Sequence, residues 1–417
     1  MRCPLDHGVH ALLDNIHLQR FARIRESFPG SRTGPYLDVA ARSLLYGGAR
    51  AALDAYLDQN AAGTLDKSKL FAAVEKTRGL FASLIRAAPD EIAFTRNVTD
   101  AIATFAASLA WRPGDNVVVC ESLEHPANVF PWHGLARRFG IEVKRVAQDN
   151  GHIPLDGILS SIDDATRVVA VSAVSFAPGF RFPLADLGAA CQRRGVLSIV
   201  DGAQSVGMID TDVKALKIDA LAASAQKGLM ALYGIGFLYV RKELAEKLDP
   251  IFLSRFGVDL GGQHEASAGD TAAYRLAAGA RRFDVGNYNY PAVVAAAPSI
   301  ALLLELGPRE VEAYVCGLAR DFANRMMDAG LPVFGGWPGP LNSHIVTVGA
   351  SLGSEHDSAG DRDMADLYAF LTANGVRLGV RRDLLRFSFH IYNNEEDVAR
   401  VADLARQWSK RRARSVA

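Results

Sequence analysis

The sequence is poor in cysteine, has no excess of either charge and contains no long apolar run. Its four cysteines form no Cys-x-x-Cys pair, so neither a zinc site nor a disulfide framework is indicated, and no metal is expected. Lysine plus arginine and aspartate plus glutamate each total 46, which argues against a groove for nucleic acid or an anionic membrane surface.

No apolar segment reaches bilayer length, and the N-terminus lacks the apolar core of a signal peptide. Free thiols suit a reducing compartment, so a cytoplasmic location is predicted.

One basic segment departs from this charge balance. Residues 410–414 read Lys-Arg-Arg-Ala-Arg, a few residues before the end of the sequence. Chain ends with few apolar residues are often poorly ordered, so we expect this segment to fray into solvent.

The length of the chain predicts two domains. A single hydrophobic core rarely serves as many as 417 residues. After about residue 307 the helical and β-rich runs follow one another in a different pattern from the regular alternation before it. This change favours a smaller α+β unit. We therefore predict a large domain over residues 36–300 and a small domain formed by residues 1–35 and 301–417.

Seven β-rich runs recur between residues 92 and 240, and helical stretches separate most of them. This alternation of strands and helices is typical of a mainly parallel sheet that helices cover on both faces. The helices predicted over Pro126–Phe139 and Leu184–Arg194 are followed by Gly140 and Gly195, where a left-handed residue is expected to end a helix. The predicted strands are Ile92–Thr95, Asn116–Glu121, Glu142–Val146, Val168–Ser172, Val196–Asp201, Ala220–Ser224 and Ile235–Val240.

Two ionisable side chains follow neighbouring predicted strands. Asp201 closes one strand, and Lys227 comes three residues after the next, ahead of another apolar run. Ligands of such sheets bind at the carboxyl ends of the strands. A lysine amine and a carboxylate are two of the groups that pyridoxal 5′-phosphate (PLP) requires, one for the aldehyde carbon and one for the pyridine nitrogen. Partial burial beside a cationic ring lowers the pKa of such an amine.

The third requirement of PLP is an anion cradle for its phosphate. A helix is predicted to begin directly after the strand Ile92–Thr95, within the segment Asn97–Asp100. Unpaired N–H groups and the helix dipole attract an anion there, so Val98 and Thr99 are predicted phosphate contacts. Ser224, three residues before the lysine, is a further candidate.

Two more polar side chains are placed to contact the ring. His125 follows a predicted strand, and its flat imidazole could stack on the pyridine. Gln204 lies three residues after the aspartate and could hydrogen-bond the ring's 3-oxygen.

Taken together, these segments resemble the class V aminotransferase family of fold-type I PLP enzymes. That family includes cysteine desulfurases, isopenicillin-N-epimerase-like proteins and carbon–sulfur lyases. Each motif alone is weak, but their order along the chain matches that of the family. The matching segments are Tyr36-Leu37-Asp38-Val39-Ala40-Ala41, Phe94-Thr95-Arg96-Asn97-Val98-Thr99, Glu124-His125-x-Ala127-Asn128, Asp201-x-Ala203-Gln204-Ser205-x-Gly207, Ser224-x-x-Lys227, Arg282-Phe283-Asp284-x-Gly286 and Arg386-x-Ser388-x-x-x-Tyr392-Asn393.

The resemblance implies a fold-type I PLP-dependent transferase, with a mainly parallel seven-stranded sheet in the large domain and a smaller α+β domain. It implies that Lys227 carries the cofactor as a Schiff base and is catalytic, together with His125. Arg386 is implied as the clamp for the substrate carboxylate, because a guanidinium fork binds a carboxylate through two hydrogen bonds.

Three further residues receive roles from the resemblance. The segment around Asn287 is implied to reach the phosphate of a neighbouring subunit, which predicts a homodimer. Asn128 and Tyr288 are candidate substrate contacts. For Tyr288, which lies among other aromatic residues, a purely structural role stays open.

The sequence departs from the family pattern on the substrate side. Residues 377–385, where a cysteine desulfurase carries its nucleophilic cysteine, contain none. Gln226 replaces a frequent histidine before the lysine, Phe176 replaces a frequent asparagine, and Asn287 stands where threonine is common. The missing cysteine disfavours desulfuration through an enzyme persulfide, and the resemblance to the family implies β-elimination of a thiol-type leaving group, or transamination.

Several alternatives stay open from sequence. Amino-acid epimerisation, a desulfurase with a displaced thiol and a non-catalytic relative are compatible with parts of the pattern. Taken singly, Lys227 could be a surface lysine, Asp201 or Thr99 a helix cap and Arg386 a strand-edge ion pair. Only the joint order of the motifs points to PLP chemistry.

Overall fold

The structure is a computed structural model that describes residues 19–260, 274–337, 339–353, 359 and 361–416. Within these residues the largest sheet has seven strands in the order β1-β7-β6-β5-β4-β2-β3. Strand β7 is antiparallel to both of its neighbours, and the other pairs are parallel. The strands are β1 Ile92–Thr95, β2 Asn116–Val119, β3 Glu142–Arg145, β4 Thr166–Ser172, β5 Leu197–Asp201, β6 Ala220–Ser224 and β7 Gly236–Val240.

The predicted sheet is confirmed, and so is the prediction that both of its faces are covered. Alternate residues of β4 pack into two different hydrophobic clusters, with Val169 and Val171 in one and Val168 and Ala170 in the other. Side chains alternate between the two faces of a strand, so both faces of the sheet are buried. The predicted bounds are correct for β1 and β6 and differ by one or two residues elsewhere.

Helices pack around this sheet and extend beyond it. Gly140 and Gly195 end two of them with φ of 69° and 68°, which confirms the predicted left-handed closures. The helices are α1 over residues 19–25, α2 Gly47–Ala61, α3 Lys67–Leu84, α4 Val98–Ala107, α5 Phe130–Phe139, α6 Leu155–Ser160, α7 Leu184–Arg194, α8 Lys242–Ala245, α9 Tyr290–Leu306, α10 Pro308–Asp328, α11 Arg362–Ala373 and α12 Glu395–Val416.

The helix predicted over Pro126–Phe139 is divided. Pro126–Asn128 form a single 3-10 turn, and α5 begins only at Phe130. Pro131 has no N–H to donate, so it is tolerated in the first turn of a helix but not further inside one. The prediction of one continuous helix was therefore wrong at this point.

A second, three-stranded antiparallel sheet has the order β10-β12-β11, with β10 Ile345–Val348, β11 Gly379–Arg381 and β12 Leu384–Ser388. The N-terminal segment joins it, since the Leu37 N–H donates to the Arg377 carbonyl at 2.8 Å. Two short strands, β8 Val258–Asp259 and β9 Arg275–Leu276, pair separately.

The predicted domain boundaries stay a prediction. The described part of the N-terminal segment contacts the C-terminal region, because the Arg25 guanidinium binds the Asp397 carboxylate at 2.7 Å. The division placed between residues 300 and 301 falls inside the continuous helix α9. Residues 1–18 lie outside the described residues.

The basic segment 410–414 does not fray as predicted. Helix α12 continues through it, and the Arg411 guanidinium lies 5.2 Å from the centre of the Phe370 ring on α11. Arg412 lies over Trp408 at 5.6 Å. Cation–π contacts hold the basic side chains against the helix pair.

Among the described residues, no single helix is both long and apolar enough to cross a bilayer. Helices α9 and α10 reach that threshold only as a joined pair, which is bent by 85°.

Candidate active site

A cavity of about 120 Å³ opens at the carboxyl ends of the parallel strands. Residues that end β4, β5 and β6 line it, together with the first turn of α4. Seven of the residues predicted from sequence meet there, as expected for a sheet of this type. They are Val98, Thr99, His125, Asp201, Gln204, Ser224 and Lys227.

The Lys227 amine and the Asp201 carboxylate both lie against this cavity. Burial lowers the pKa of Lys227 to about 8, with Asp201 opposing the shift and nearby arginines adding to it. Burial raises the pKa of Asp201, while the Ala203 N–H, 2.8 Å from its Oδ1, and the lysine charge counteract that rise. The amine is therefore easily deprotonated beside a carboxylate that interacts with its charge.

The turn between β1 and α4 forms an anion cradle. Asn97 caps the helix, since its side chain accepts from the Asp100 N–H at 2.9 Å. The turn lies very close to β7, because a Cβ on Gly236 would be 3.2 Å from the Asn97 Cα. The N–H groups of the first helical turn, at Val98 and Thr99, are the donors that an anion binds at such a position.

Two buried polar atoms at the cavity have no hydrogen-bond partner among the described residues. They are the Ser224 Oγ and the Gln204 Oε1. The Gln204 Nε2 donates to the Ala40 carbonyl at 2.8 Å, which holds its side chain in place. Buried polar atoms usually have partners, so these two indicate a polar ligand. With the lysine, the aspartate and the anion cradle, the residues present fit PLP.

His125 has a fixed orientation at the edge of the cavity. Its Nδ1 accepts from the Ala127 N–H at 3.1 Å, so in the neutral ring the proton resides on Nε2. The Phe176 ring meets the imidazole edge to face, with 5.7 Å between ring centres. Packing thus holds the imidazole in one orientation beside the cavity.

Glu124 is a site residue that the sequence reasoning missed. It is buried, and its carboxylate accepts from both the N–H and the Oγ of Ser172, at 2.7 and 2.5 Å. Burial raises its pKa to about 7. This carboxylate ties the loop that carries His125 to the end of β4. The glutamate beside the histidine was visible in the sequence, but its partner 48 residues away was not.

The prediction that Asn128 contacts the substrate is not supported by its position. Asn128 is fully buried, with its Nδ2 donating to Glu124 at 2.9 Å and its Oδ1 accepting from Trp132 at 3.3 Å. Both amide atoms are occupied within the protein, and the residue does not line the cavity. Its role here is to hold the Glu124 carboxylate.

Asn287 and Tyr288 line a second, larger cavity of about 720 Å³. This cavity adjoins the first, since Asn97 and Gln226 line both. The Tyr288 hydroxyl donates to the Asp284 carboxylate at 2.8 Å and so takes part in an internal network. The structure therefore places both residues beside the lysine cavity and not within its lining.

Arg386 is buried on β12. Its Nη1 donates to the Phe176 carbonyl at 2.9 Å, and its Nη2 lies 3.4 Å from the Asp38 Oδ1. The guanidinium is close enough to Lys227 to lower its pKa further. Asp38 was part of a recognised motif, but sequence reasoning assigned it no role at the site.

Comparison with known proteins agrees with this geometry. The model of the family described as aminotransferase class V matches residues 35–401. A probable cysteine desulfurase of Pyrococcus abyssi is 31% identical over 336 residues, which cover 78% of this chain and 80% of that protein.

Solved structures show the same fold. The apo cysteine desulfurase of Thermococcus onnurineus superposes with a TM-score of 0.79 at 24% identity, covering 98% of this chain and 99% of that chain. The cystine C-S lyase C-DES, in complex with its reaction product cysteine persulfide, has a TM-score of 0.78 at 21% identity and covers 91% of this chain and 99% of its own. A lysine-to-alanine variant of C-DES was solved with glycine covalently linked to its PLP cofactor, at a TM-score of 0.79 and 21% identity.

These findings confirm the predicted fold and the predicted cofactor. PLP is the cofactor of this group of enzymes, and the cavity beside Lys227 has the groups that PLP requires. The family model extends from the N-terminal motif at Tyr36 to helix α12. The chain belongs to the class V aminotransferase family.

Proposed function

We propose that this enzyme acts at the α-carbon of an amino-acid-like substrate, by β-elimination of a thiol-type leaving group or by transamination. The observation that carries the proposal is the pairing of Lys227 and Asp201 in one cavity with an anion cradle. The lowered pKa of the lysine supports it, because it increases the fraction of neutral amine near physiological pH, and a neutral amine can attack a carbonyl carbon and accept a proton.

The seven predicted residues that line the cavity, together with Arg386, each have a proposed task. When bound, PLP withdraws electrons from the substrate's α-carbon. Lys227 would hold the cofactor covalently and, once displaced by the substrate amine, take the α-proton on its Nζ. Asp201 would keep the ring nitrogen protonated, and His125 would stack on the ring. Val98, Thr99 and Ser224 would bind the phosphate, Gln204 the 3-oxygen and Arg386 the substrate carboxylate.

The positions of the cysteines support chemistry without a protein persulfide. Cys120 and Cys191 are fully buried, and burial raises the pKa of Cys191 to about 12. Cys316 lies on α10, where its Sγ is 3.1 Å from the Arg181 guanidinium. None of these three lines either cavity, and Cys3 lies outside the described residues. A buried thiol with a raised pKa is a poor nucleophile.

Turnover is expected to be independent of cysteine. A variant with all four cysteines replaced by alanine or serine should keep its kcat within about threefold of the wild-type value. The measurement is product formation by the holoenzyme from the disulfide L-cystine and from thioether amino acids. Pyruvate and ammonia would indicate elimination, a 2-oxo acid with the cofactor left in its amine form would indicate transamination, and loss of substrate chirality alone would indicate epimerisation. Sulfide release that disappears in the cysteine-free variant would instead support a desulfurase.

Covalent uptake of PLP by the apoprotein should speed up as pH rises. Only the neutral Lys227 amine attacks the aldehyde, so the rate should increase about tenfold per pH unit below pH 8 and level off above it. Stopped-flow absorbance between pH 6 and pH 10 would measure this. In Asp201→Asn the inflection should move to lower pH, since Asp201 raises the lysine pKa. A wild-type inflection near the value of a free lysine would contradict the proposed environment.

We also propose that the enzyme is a cytoplasmic homodimer. Tyr233, Phe252 and Val285 are exposed apolar residues on the larger cavity, and 55 to 64% of the surface of each residue is accessible. Exposed apolar groups that cluster in this way mark interaction surfaces. Asn287 lies among them, which supports a contact from this segment to a second copy's active site.

A further inference from the structure

The main chain at and after Lys227 is held by two hydrogen bonds to consecutive carbonyls. The Lys227 carbonyl accepts from the Met230 N–H at 2.9 Å, within the same turn. The Gly228 carbonyl lies 2.9 Å from the Nε2 of His390, which is 162 residues further along the chain. The first bond joins two backbone groups. The second is formed by a side chain from the C-terminal region, so a substitution can remove it.

The His390 ring has one tautomer that can donate this bond. Its Nδ1 accepts from the Ile391 N–H at 2.7 Å, so in the neutral ring the proton resides on Nε2, beside the Gly228 carbonyl. Burial lowers the pKa of His390 to about 4, and the hydrogen bond to Gly228 opposes that shift. The ring is therefore neutral at physiological pH and keeps its donor on the Gly228 side.

Neighbouring groups fix the orientation of this ring. His390 is fully buried, and the Tyr392 ring stacks on it with 5.4 Å between ring centres and 18° between the planes. The His390 N–H donates to the Asn393 Oδ1 at 2.9 Å. The Asn393 Nδ2 in turn donates to the Tyr36 carbonyl at 2.9 Å. A ring held in this way can fix the position of the carbonyl that it contacts.

Gly228 also packs against the turn that follows Asp201. A Cβ on Gly228 would collide with the Val206 carbonyl oxygen. A Cβ on Gly207, whose φ is 92°, would collide with the Gly228 carbonyl oxygen. The absence of these side chains lets the two loops approach closely. The loops that carry the lysine and the aspartate of the cavity are therefore in backbone contact, and a shift of Gly228 would move Lys227 relative to Asp201.

The same bond reaches the strand that carries the proposed substrate clamp. His390 comes two residues after the end of β12, and β12 carries Arg386. The hydrogen bond to Gly228 thus joins the segment of the clamp to the segment of the lysine amine. Distances between reacting groups matter strongly, because a displacement of about 1 Å can cost about 100-fold in rate.

We propose that His390 is a positioning residue, which through the Gly228 carbonyl holds the Lys227 amine where it can attack the cofactor and reach the α-proton. The inference rests on the proposed function, since it takes Lys227 as the amine that holds the cofactor. His390 occupies an unassigned position in the C-terminal motif, between Ser388 and Tyr392.

The test is the covalent uptake of PLP by the full-length apoprotein at pH 9, where most of the Lys227 amine is neutral. His390→Asn and His390→Leu provide no donor at the Nε2 position. The rate at saturating PLP should fall about 10- to 100-fold in both. The PLP concentration that gives half of that rate should stay within about threefold of wild type, because the anion cradle is unchanged. Stopped-flow absorbance measures both quantities.

Two further variants separate positioning from general stability. His390→Gln places an amide N–H near the Nε2 position, so it should keep the uptake rate within about fivefold of wild type. Ser343→Ala is the matched control, because the buried Ser343 Oγ donates to the Gly179 carbonyl at 2.6 Å and neither residue lines either cavity. It should lower the unfolding temperature, as the His390 variants do, but keep the uptake rate within about threefold.

Unchanged uptake in His390→Asn and His390→Leu would overturn the inference while the proposed function stands. Equal slowing in His390→Gln or in Ser343→Ala would also overturn it, because the effect would then follow stability and not the donor. Thermal unfolding identifies a variant that does not fold, and if His390→Leu is one, the comparison of His390→Gln with His390→Asn decides. A wild-type protein that takes up no PLP would overturn the proposed function itself.

Discussion

Replacing Lys227 by alanine is expected to reduce turnover by at least about 10³-fold and to abolish the absorbance band of the covalently held cofactor. The amine has two proposed tasks, the covalent link and the transfer of the α-proton. General acid–base catalysis alone contributes about 10²- to 10⁴-fold. Steady-state product formation and the absorbance spectrum of the purified protein would measure the two losses separately.

Two controls separate chemistry from folding in this experiment. Lys227→Arg keeps a cation in the cavity but provides no neutral amine near pH 8, so it should be equally inactive. A small alkylamine added to Lys227→Ala should restore part of the rate, because it can accept the α-proton in place of the missing side chain. If Lys227→Ala kept the absorbance band and a rate within tenfold of wild type, the assignment of the catalytic amine would be wrong.

Replacing Asp284 by alanine is expected to destabilise the protein by about 3–5 kcal/mol, the cost of leaving a buried charge without its partner. Asp284 is fully buried, and its Oδ2 lies 2.8 Å from the Arg78 Nη2. Its Oδ1 accepts from the Phe94 N–H at 2.7 Å, and its Oδ2 also accepts from the Tyr288 hydroxyl at 2.8 Å. Arg78 is equally buried, and the acidic partner that it would retain among the described residues is the half-exposed Glu75, at 3.5 Å.

Urea unfolding followed by tryptophan fluorescence would measure this loss. Asp321→Ala is the matched control, because it breaks a partly exposed ion pair with Arg325 and should cost about 1 kcal/mol or less. Replacing Arg78 and Asp284 together by apolar residues should recover part of the loss. Equal effects of Asp284→Ala and Asp321→Ala would show that the buried network contributes little to stability.

Much of the site was predictable from sequence because parallel sheets place the ends of their strands at one edge. Asp201 and Ser224 end two neighbouring strands, and Lys227 follows directly. Their shared cavity therefore follows from the strand pattern, with no knowledge of packing. The anion cradle was equally visible, since a helix begins at Val98 immediately after β1.

Other parts of the site depend on contacts between segments that are far apart in the chain. Asp38 and Arg386 are 348 residues apart, and no local pattern relates them. The motif around Asp284 was recognised, but its part in the Arg78 network was not. Asn128 was assigned to the substrate by its motif, whereas packing directs its amide into the protein.

By itself, the sequence determined the alternation of strands and helices, the cofactor and seven of the residues that line the lysine cavity. These follow from hydrophobic period, from glycine at helix ends and from polar residues at strand ends, all of which act over a few neighbouring residues. Only the tertiary structure decided which buried side chains became partners, such as Glu124 with Ser172 and Arg386 with Asp38. Such pairings depend on how separate segments pack, because a charge or a hydrogen bond responds to distance in space and not to distance along the chain.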